Sequence, residues 1–272
     1  MDKKILYFDC LSGISGDMTI GALLDLGVDK DEFLNELKKI KVDGYKINIK
    51  KGQKNGITGT NFNVILESHG DNNHGHNHGH NHDHDNKHHS HDQHHGHHHH
   101  RNLHDVEHII GDSDLNDNVK KLSKEIFTYV AKAEAKTHDK PIEEVHFHEV
   151  GAIDSIVDII GAAICIDKLG VDEIYSSPLH VGTGFVNCAH GKIPVPAPAT
   201  LDILRGIPVY QKGIRSELVT PTGAAIIKAL AKDFIPMPEM VIEKIGYGLG
   251  DKDLEITNVL RVNLAKKKLK RI

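Results

Sequence analysis

Apolar and polar positions divide the chain into short structured stretches separated by one long gap. Ile5–Asp9 is apolar up to its last residue and predicts a buried strand. Leu11-Ser12-Gly13-Ile14-Ser15-Gly16 follows as a turn-rich loop. Asp17–Leu26 then reads as a helix with an acid at its start and Gly27 as its stop. Asp31–Lys41 places Phe33, Leu34, Leu37 and Ile40 on one helical face. Tyr45, Ile47 and Ile49 alternate with polar residues, as do Phe62, Val64 and Leu66. These predict two strands joined by a loose hairpin through Gly52–Gly59.

From Ser68 to His100 the pattern stops. That stretch holds 16 of the 23 histidines among Gly, Asn and Asp, with almost nothing to bury. It predicts a disordered insert, residues 69–100, within one discontinuous domain made of residues 1–68 and 101–272.

Beyond it, Leu115, Val119, Leu122, Ile126, Tyr129, Val130 and Ala133 keep a helical period, and Glu144–His148 alternates like a strand or extended loop. Asp154–Leu169 is helical and apolar on most sides. Leu179–Val181 and Phe185–Asn187 are short strands. Pro194, Pro196 and Pro198 lead into a short helix ending at Gly206. Thr220-Pro221 opens a helix through Ala231, a cap residue followed by Pro at the first helical position. Met240–Ile245 and Ile256–Leu264 read as strands flanking a glycine turn over 246–250. The mixed order predicts an α/β or α+β fold, a mixed sheet with flanking helices.

Composition narrows the function. The 272 residues are 39% hydrophobic and carry a net charge of -5, with no clustered basic face for nucleic acid. No apolar run approaches the roughly 20 residues of a membrane span, and no signal peptide is evident. Three cysteines without a Cys-x-x-Cys pair fit a cytoplasmic protein.

Three groups could carry chemistry. His74, His76, His78, His80, His82 and His84 belong to an imidazole-rich arm that can collect nickel, copper or zinc, but a disordered arm cannot hold a reacting geometry. His146, His148 and Glu149 precede Asp154 and Asp158, which share one helix face. Buried carboxylates need a partner, and a first-row metal ion would supply it. The alternative is a capping Asp154 with surface histidines. The third group is Asp9 to Asp17. Ser12, Gly13, Ser15 and Gly16 at a helix start could cradle an anion, and Asp9 with Asp17 could hold a cation bridging to it; an ordinary strand-to-helix turn explains the spacing as well. Thr220, Thr222 and Gly223 form a second helix start, explicable by capping alone. His180 and His190 flank a Gly-Thr-Gly turn, and either could be a base.

Four blocks carry a resemblance. Phe8-Asp9-Cys10-Leu11-Ser12-Gly13-Ile14-Ser15-Gly16-Asp17-Met18 resembles the opening of the nickel-insertion proteins of nickel-pincer cofactor synthesis. So do the block from His146 to Asp158, the block from His190 to Thr200, and Thr220-Pro221-Thr222-Gly223-Ala224-Ala225. A His-rich insert between the first two blocks is typical of that family.

The resemblance implies an enzyme of chelatase (lyase) type. It would place nickel into pyridinium-3,5-bisthiocarboxylic acid mononucleotide, consuming CTP with Mg or Mn, and its product would serve lactate racemase-type apoenzymes. On this reading Asp17 and His190 serve the chemistry, and the imidazoles and carboxylates named above receive nickel. Family members are usually longer, with a C-terminal domain to which nucleotide binding is assigned. This chain resembles the N-terminal portion, so a separate C-terminal domain chain is an expected partner. The reading admits a homo-oligomer. The rival is a nickel store or metallochaperone without catalysis, which removal of residues 69–100 would cripple and an inserter supplied with ample nickel would survive.

Overall fold

Strand β1 (Lys3–Asp9) is apolar from Ile5 to Phe8 because both faces of that stretch are covered. Leu6 and Phe8 point into the main core, while Ile5 and Tyr7 join a smaller cluster with Tyr175 and Ala265 on the opposite face. A computed structural model describes residues 3–67, 101–145, 147, 153–188 and 191–267. The expected insert, and the helical, strand or ligand roles given to residues outside those ranges, lie beyond what is described.

The chain is α/β, with a mixed sheet and flanking helices. After β1 come α1 (Gly16–Asp25), α2 (Lys30–Leu37), β2 (Tyr45–Lys54) and β3 (Ile57–Leu66). The second segment supplies α3 (Leu103–Gly111), α4 (Asp117–His138), α5 (Ile153–Leu169), β4 (Glu173–Ser176), β5 (Leu179–His180), β6 (Phe185–Cys188) and β7 (Gly191–Pro194). It ends with α6 (Pro198–Ile203), β8 (Val209–Tyr210), α7 (Pro221–Leu230), β9 (Asp233–Phe234), β10 (Val241–Leu249) and β11 (Val259–Lys267).

Seven described strands form the main sheet in the order β2-β3-β10-β11-β1-β4-β9. β11 runs antiparallel to both β1 and β10, whereas β4 is parallel to β1. Strands from both sides of residues 68–100 therefore share one sheet. Helices α1, α4, α5 and α7 bury their apolar faces in one continuous core. Within it Phe8, Phe33, Phe62 and Phe127 are fully buried, each side chain contributing about 1.5–3 kcal/mol. Phe33 meets Phe62 edge to face at 5.9 Å. No helix among the described residues is long and apolar enough to cross a membrane.

Several elements depart from the sequence pattern. The expected loose hairpin is a tight one: β2 and β3 pair along their whole length and turn at Asn55-Gly56, both with positive φ. That dipeptide suits the primed two-residue turn that matches strand twist. The glycine turn over 246–250 is instead mostly strand. Gly246 and Gly248 lie within β10, where a Cβ would collide with the carbonyl oxygens of Ala22 and Met18. Glycine here lets α1 lie directly on the sheet. Asp25, at the end of α1, fastens that contact by accepting from the Tyr247 N–H at 3.0 Å and the Thr60 hydroxyl at 2.8 Å. Helix α3 and strand β4 add to the elements expected from the sequence, although Leu103, Val106 and Ile110 of α3 do keep a helical period.

Candidate functional site

The start of α1 meets the first turns of α5 beneath the loop between β10 and β11. Residues from all three line a cleft of ≈ 290 Å³. Of its described lining residues five are acidic, Asp17, Asp154, Asp158, Glu217 and Asp251, and one, Lys252, is basic. The remainder includes Ser15, Thr220, Asn63 and Asn258.

Asp158 is the centre of this arrangement. Its carboxylate lies against the start of α1, where the backbone N–H of Asp17 favours the charged form and a Cβ on Gly16 would collide with Oδ2. Oδ1 is out of solvent and has no hydrogen-bond partner among the described residues, although the residue keeps some surface at the cleft. Burial pushes the carboxyl of Asp158 well above the ordinary range, and the charges of Asp17 and Asp154 push it further. Asp17 is raised by burial too, partly offset by the Ser15 hydroxyl that donates to its Oδ1 at 2.5 Å. A buried carboxylate oxygen with like charges around it is costly unless a cation or proton joins it.

The expected anion cradle turns inward. Gly13, at φ +83, donates its N–H to Cys10 O at 3.0 Å and has no room for a Cβ against Leu218. Ile14 pairs with Val219 as a parallel bridge, donating to Leu218 O at 2.9 Å and accepting from the Thr220 N–H at 3.2 Å. Gly223 packs against the Ile14 carbonyl. Thr220 caps α7 by accepting the Gly223 N–H at 3.1 Å, and Thr222 is buried. The Ser12 hydroxyl donates to Thr257 O at 2.7 Å. These contacts make a packed junction between the two helix starts, and the anion held at the start of α1 is the chain's own Asp158. Ser15 and Thr220 are the members of the two motifs that reach the cleft.

Asp9 stands elsewhere. Its carboxylate accepts from Nε of Arg261 at 3.0 Å and is ion-paired with that guanidinium, so a cation shared with Asp17 has lost one expected ligand to arginine. His180 is likewise occupied. Lys212 N–H donates to its Nε2 at 3.0 Å, which leaves the proton on Nδ1 to be donated to Leu11 O at 2.9 Å. The ring stacks on Tyr210, 5.0 Å between centroids. Both nitrogens are engaged, so His180 positions the loop.

His146, His148, Glu149, His190 and the six histidines from His74 to His84 lie outside the described residues. Among the described residues no three His, Cys, Asp or Glu side chains stand together as a ready-made ligand set. Phe147 is described: its ring is buried against Phe127 and its N–H donates to Arg101 O at 2.8 Å.

A family model described as nickel insertion protein matches residues 6–271. The chain belongs to the nickel insertion protein family. A relative from Clostridium acetobutylicum is 58% identical over 267 residues, covering 96% of this chain and 64% of its own length. One from Acetivibrio thermocellus is 52% identical over 269 residues, covering 98% and 61% respectively. Both are named pyridinium-3,5-bisthiocarboxylic acid mononucleotide nickel insertion protein. The chain thus spans less than two thirds of these relatives' own length. No solved structure matches it.

Two of the five acids in this wall lie outside the metal-binding blocks read from the sequence. Asp251 follows β10 and accepts from the Asn61 side chain at 2.9 Å, and Glu217 precedes the Thr220 cap. Neither sits in a periodic pattern, and only the fold brings them opposite α5.

Proposed function

We propose that the chain places nickel into pyridinium-3,5-bisthiocarboxylic acid mononucleotide, as its relatives' names state of them, and that the acid-lined cleft is where the metal meets the substrate. The observation that carries this is the buried Oδ1 of Asp158, without a partner among the described residues and close to the charges of Asp17 and Asp154 at the cleft. Carboxylates so placed attract a divalent ion, which is here the reaction's cargo. In this proposal His146, His148 and Glu149 complete the receiving set, and Ser15 and Thr220 lie at the edge toward the mononucleotide. Nickel acts as the electrophile toward two thiocarboxylate sulfurs and a ring carbon, and a base takes the ring proton. An imidazole suits that work, and His190 is assigned to it here. His180 is not, since both its nitrogens are bonded.

CTP with Mg or Mn, a chelatase-type lyase activity, a cytoplasmic setting and transfer of the product to a lactate racemase-type enzyme all belong to this proposal. So does a contribution from a C-terminal domain, on the same chain or another. The volume of the cleft is close to the lower end, about 300 Å³, of small-ligand sites.

The test is mass-spectrometric detection of nickelated mononucleotide after incubation with nickel, CTP, Mg or Mn, and the substrate, with the family's C-terminal domain added in a parallel arm. Asp158→Asn keeps an acceptor for the Asp17 N–H and removes the charge. It is expected to abolish product in whichever arm the unaltered protein makes it. Undiminished product from Asp158→Asn would remove the cleft from the mechanism.

A further inference from the structure

Outside the cleft, α3 carries two exposed histidines one turn apart, His104 and His108. Positions i and i+4 share a helix face, and two imidazoles at that spacing can grip one metal ion. Here the side chains already converge. Their Nε2 atoms are 3.0 Å apart, and the rings meet edge to face at 4.3 Å between centroids.

We infer that His104 and His108 form a two-imidazole seat for a divalent nickel ion on the outer face of α3. With metal–nitrogen bonds of about 2.1 Å, a 3.0 Å separation gives a bite angle of about 90°. That is the angle between neighbouring positions of a square-planar or octahedral ion. The pair can therefore fill two neighbouring positions of a nickel ion once the rings turn both lone pairs toward it. Water fills the remaining positions.

The proton balance is simple. In the metal-free pair one Nε2–H donates to the other ring's Nε2. On binding, the donor ring shifts its proton from Nε2 to Nδ1, and each Nε2 lone pair goes to the metal. No proton is released from the neutral pair.

The platform is rigid. Asn102 and Asp105 form a reciprocal capping box, each accepting the other's backbone N–H at 2.9 Å. Val106 and Ile110, on the opposite face, are fully buried. A rigid helix holds two ligands in register without a fresh entropic cost. Beside His104 a groove of ≈ 460 Å³ is lined by Glu107 and Glu143, whose charges draw cations toward the pair. Two solvent-exposed rings contribute little to the fold, so the core does not explain their convergence. The inference stands apart from the cleft chemistry, since it concerns metal binding alone.

The test uses the full chain with the 16 histidines of residues 68–100 replaced by serine, so that they do not mask the seat. Nickel chloride is titrated into this protein and into its His104→Ala and His108→Ala derivatives by calorimetry. The parent is expected to bind one equivalent more than either derivative. Losing one of two chelating rings weakens that equivalent at least about tenfold. Asp158→Asn in the same background is expected to retain it, which separates the seat from the cleft. Identical titrations for parent and derivatives overturn the inference and leave a hydrogen-bonded pair, as does loss with only one of the two alanines.

Discussion

The carboxylate of Asp158 lies against the backbone N–H of Asp17, so a side chain of α5 sits at the first turn of α1. Ser15, at the cap position of α1, makes no side-chain cap of its own. A helix start favours a negative charge, and this fold supplies one from a distant part of the sequence. Oδ1 of the same carboxylate has no hydrogen-bond partner among the described residues.

Gly16→Ala tests that contact. Its methyl group would occupy the position of Asp158 Oδ2 and drive the carboxylate away. A loss of about 1–3 kcal/mol in urea unfolding is expected, the usual cost of overpacking. Unchanged stability would mean that α1 and α5 are not locked together here.

Asp158→Asn should act in the opposite sense on the metal-free protein. Removing a buried charge that repels Asp17 and Asp154, while keeping an acceptor for the Asp17 N–H, is expected to stabilise by about 1–3 kcal/mol, the range for an unsatisfied buried polar group. Thermal melting in the presence of a chelator measures this. A variant that gains stability while losing product marks a residue kept for function; one that melts earlier marks a structural carboxylate.

Gly248→Ala and Gly56→Ala separate two uses of glycine. At Gly248 a Cβ would overlap the Met18 carbonyl and lift α1 off the sheet, costing about 3 kcal/mol or more. At Gly56, with φ +82 and open space around it, only the left-handed backbone is strained, costing about 1–2 kcal/mol. Circular dichroism melts of the two variants should differ accordingly. Equal losses would place α1 farther from β10 than described.

Glu173 predicts a pH response. Lys232 and Lys3 each reach its Oε1 at 2.6 Å and the Tyr175 hydroxyl donates to Oε2 at 2.6 Å, and together they lower its pKa from 4.5 to about 2. A carboxylate depressed in the folded state contributes stability above its ordinary pKa and loses it as pH falls toward the folded value. The difference in unfolding free energy between the unaltered protein and Glu173→Gln should therefore shrink between about pH 5 and about pH 2. A constant difference would show that the ion pairs are too screened to matter.

Much of this was legible in the sequence, for reasons that differ by element. β1, its loop and α1 were readable because an apolar run, a Gly/Ser turn and a helical period follow directly. Asp154 and Asp158 were placed on one face by helical spacing alone. The Thr220-Pro221 start of α7 was readable from cap chemistry. Gly246 and Gly248 were misread as a turn because glycine in a strand signals a neighbouring backbone that local sequence does not contain. Asp9 looked like a site residue until Arg261, far along the chain, was seen to pair with it. His104 and His108 are four apart in plain view, but convergence of their nitrogens depends on side-chain rotamers that spacing does not determine.

The sheet order has a consequence for how the molecule comes into being. Its middle strand, β11, comes last among the described strands in chain order, and it pairs with β1, the first of them, from Lys3↔Lys267 to Asp9↔Arg261. Until residues 259–267 emerge, β1 and β10 each lack the neighbour that joins the two halves of the sheet. Such sequence-distant pairing makes for slow folding. The nascent chain must therefore wait with open strand edges, which makes it a natural client for chaperones until β11 closes the gap.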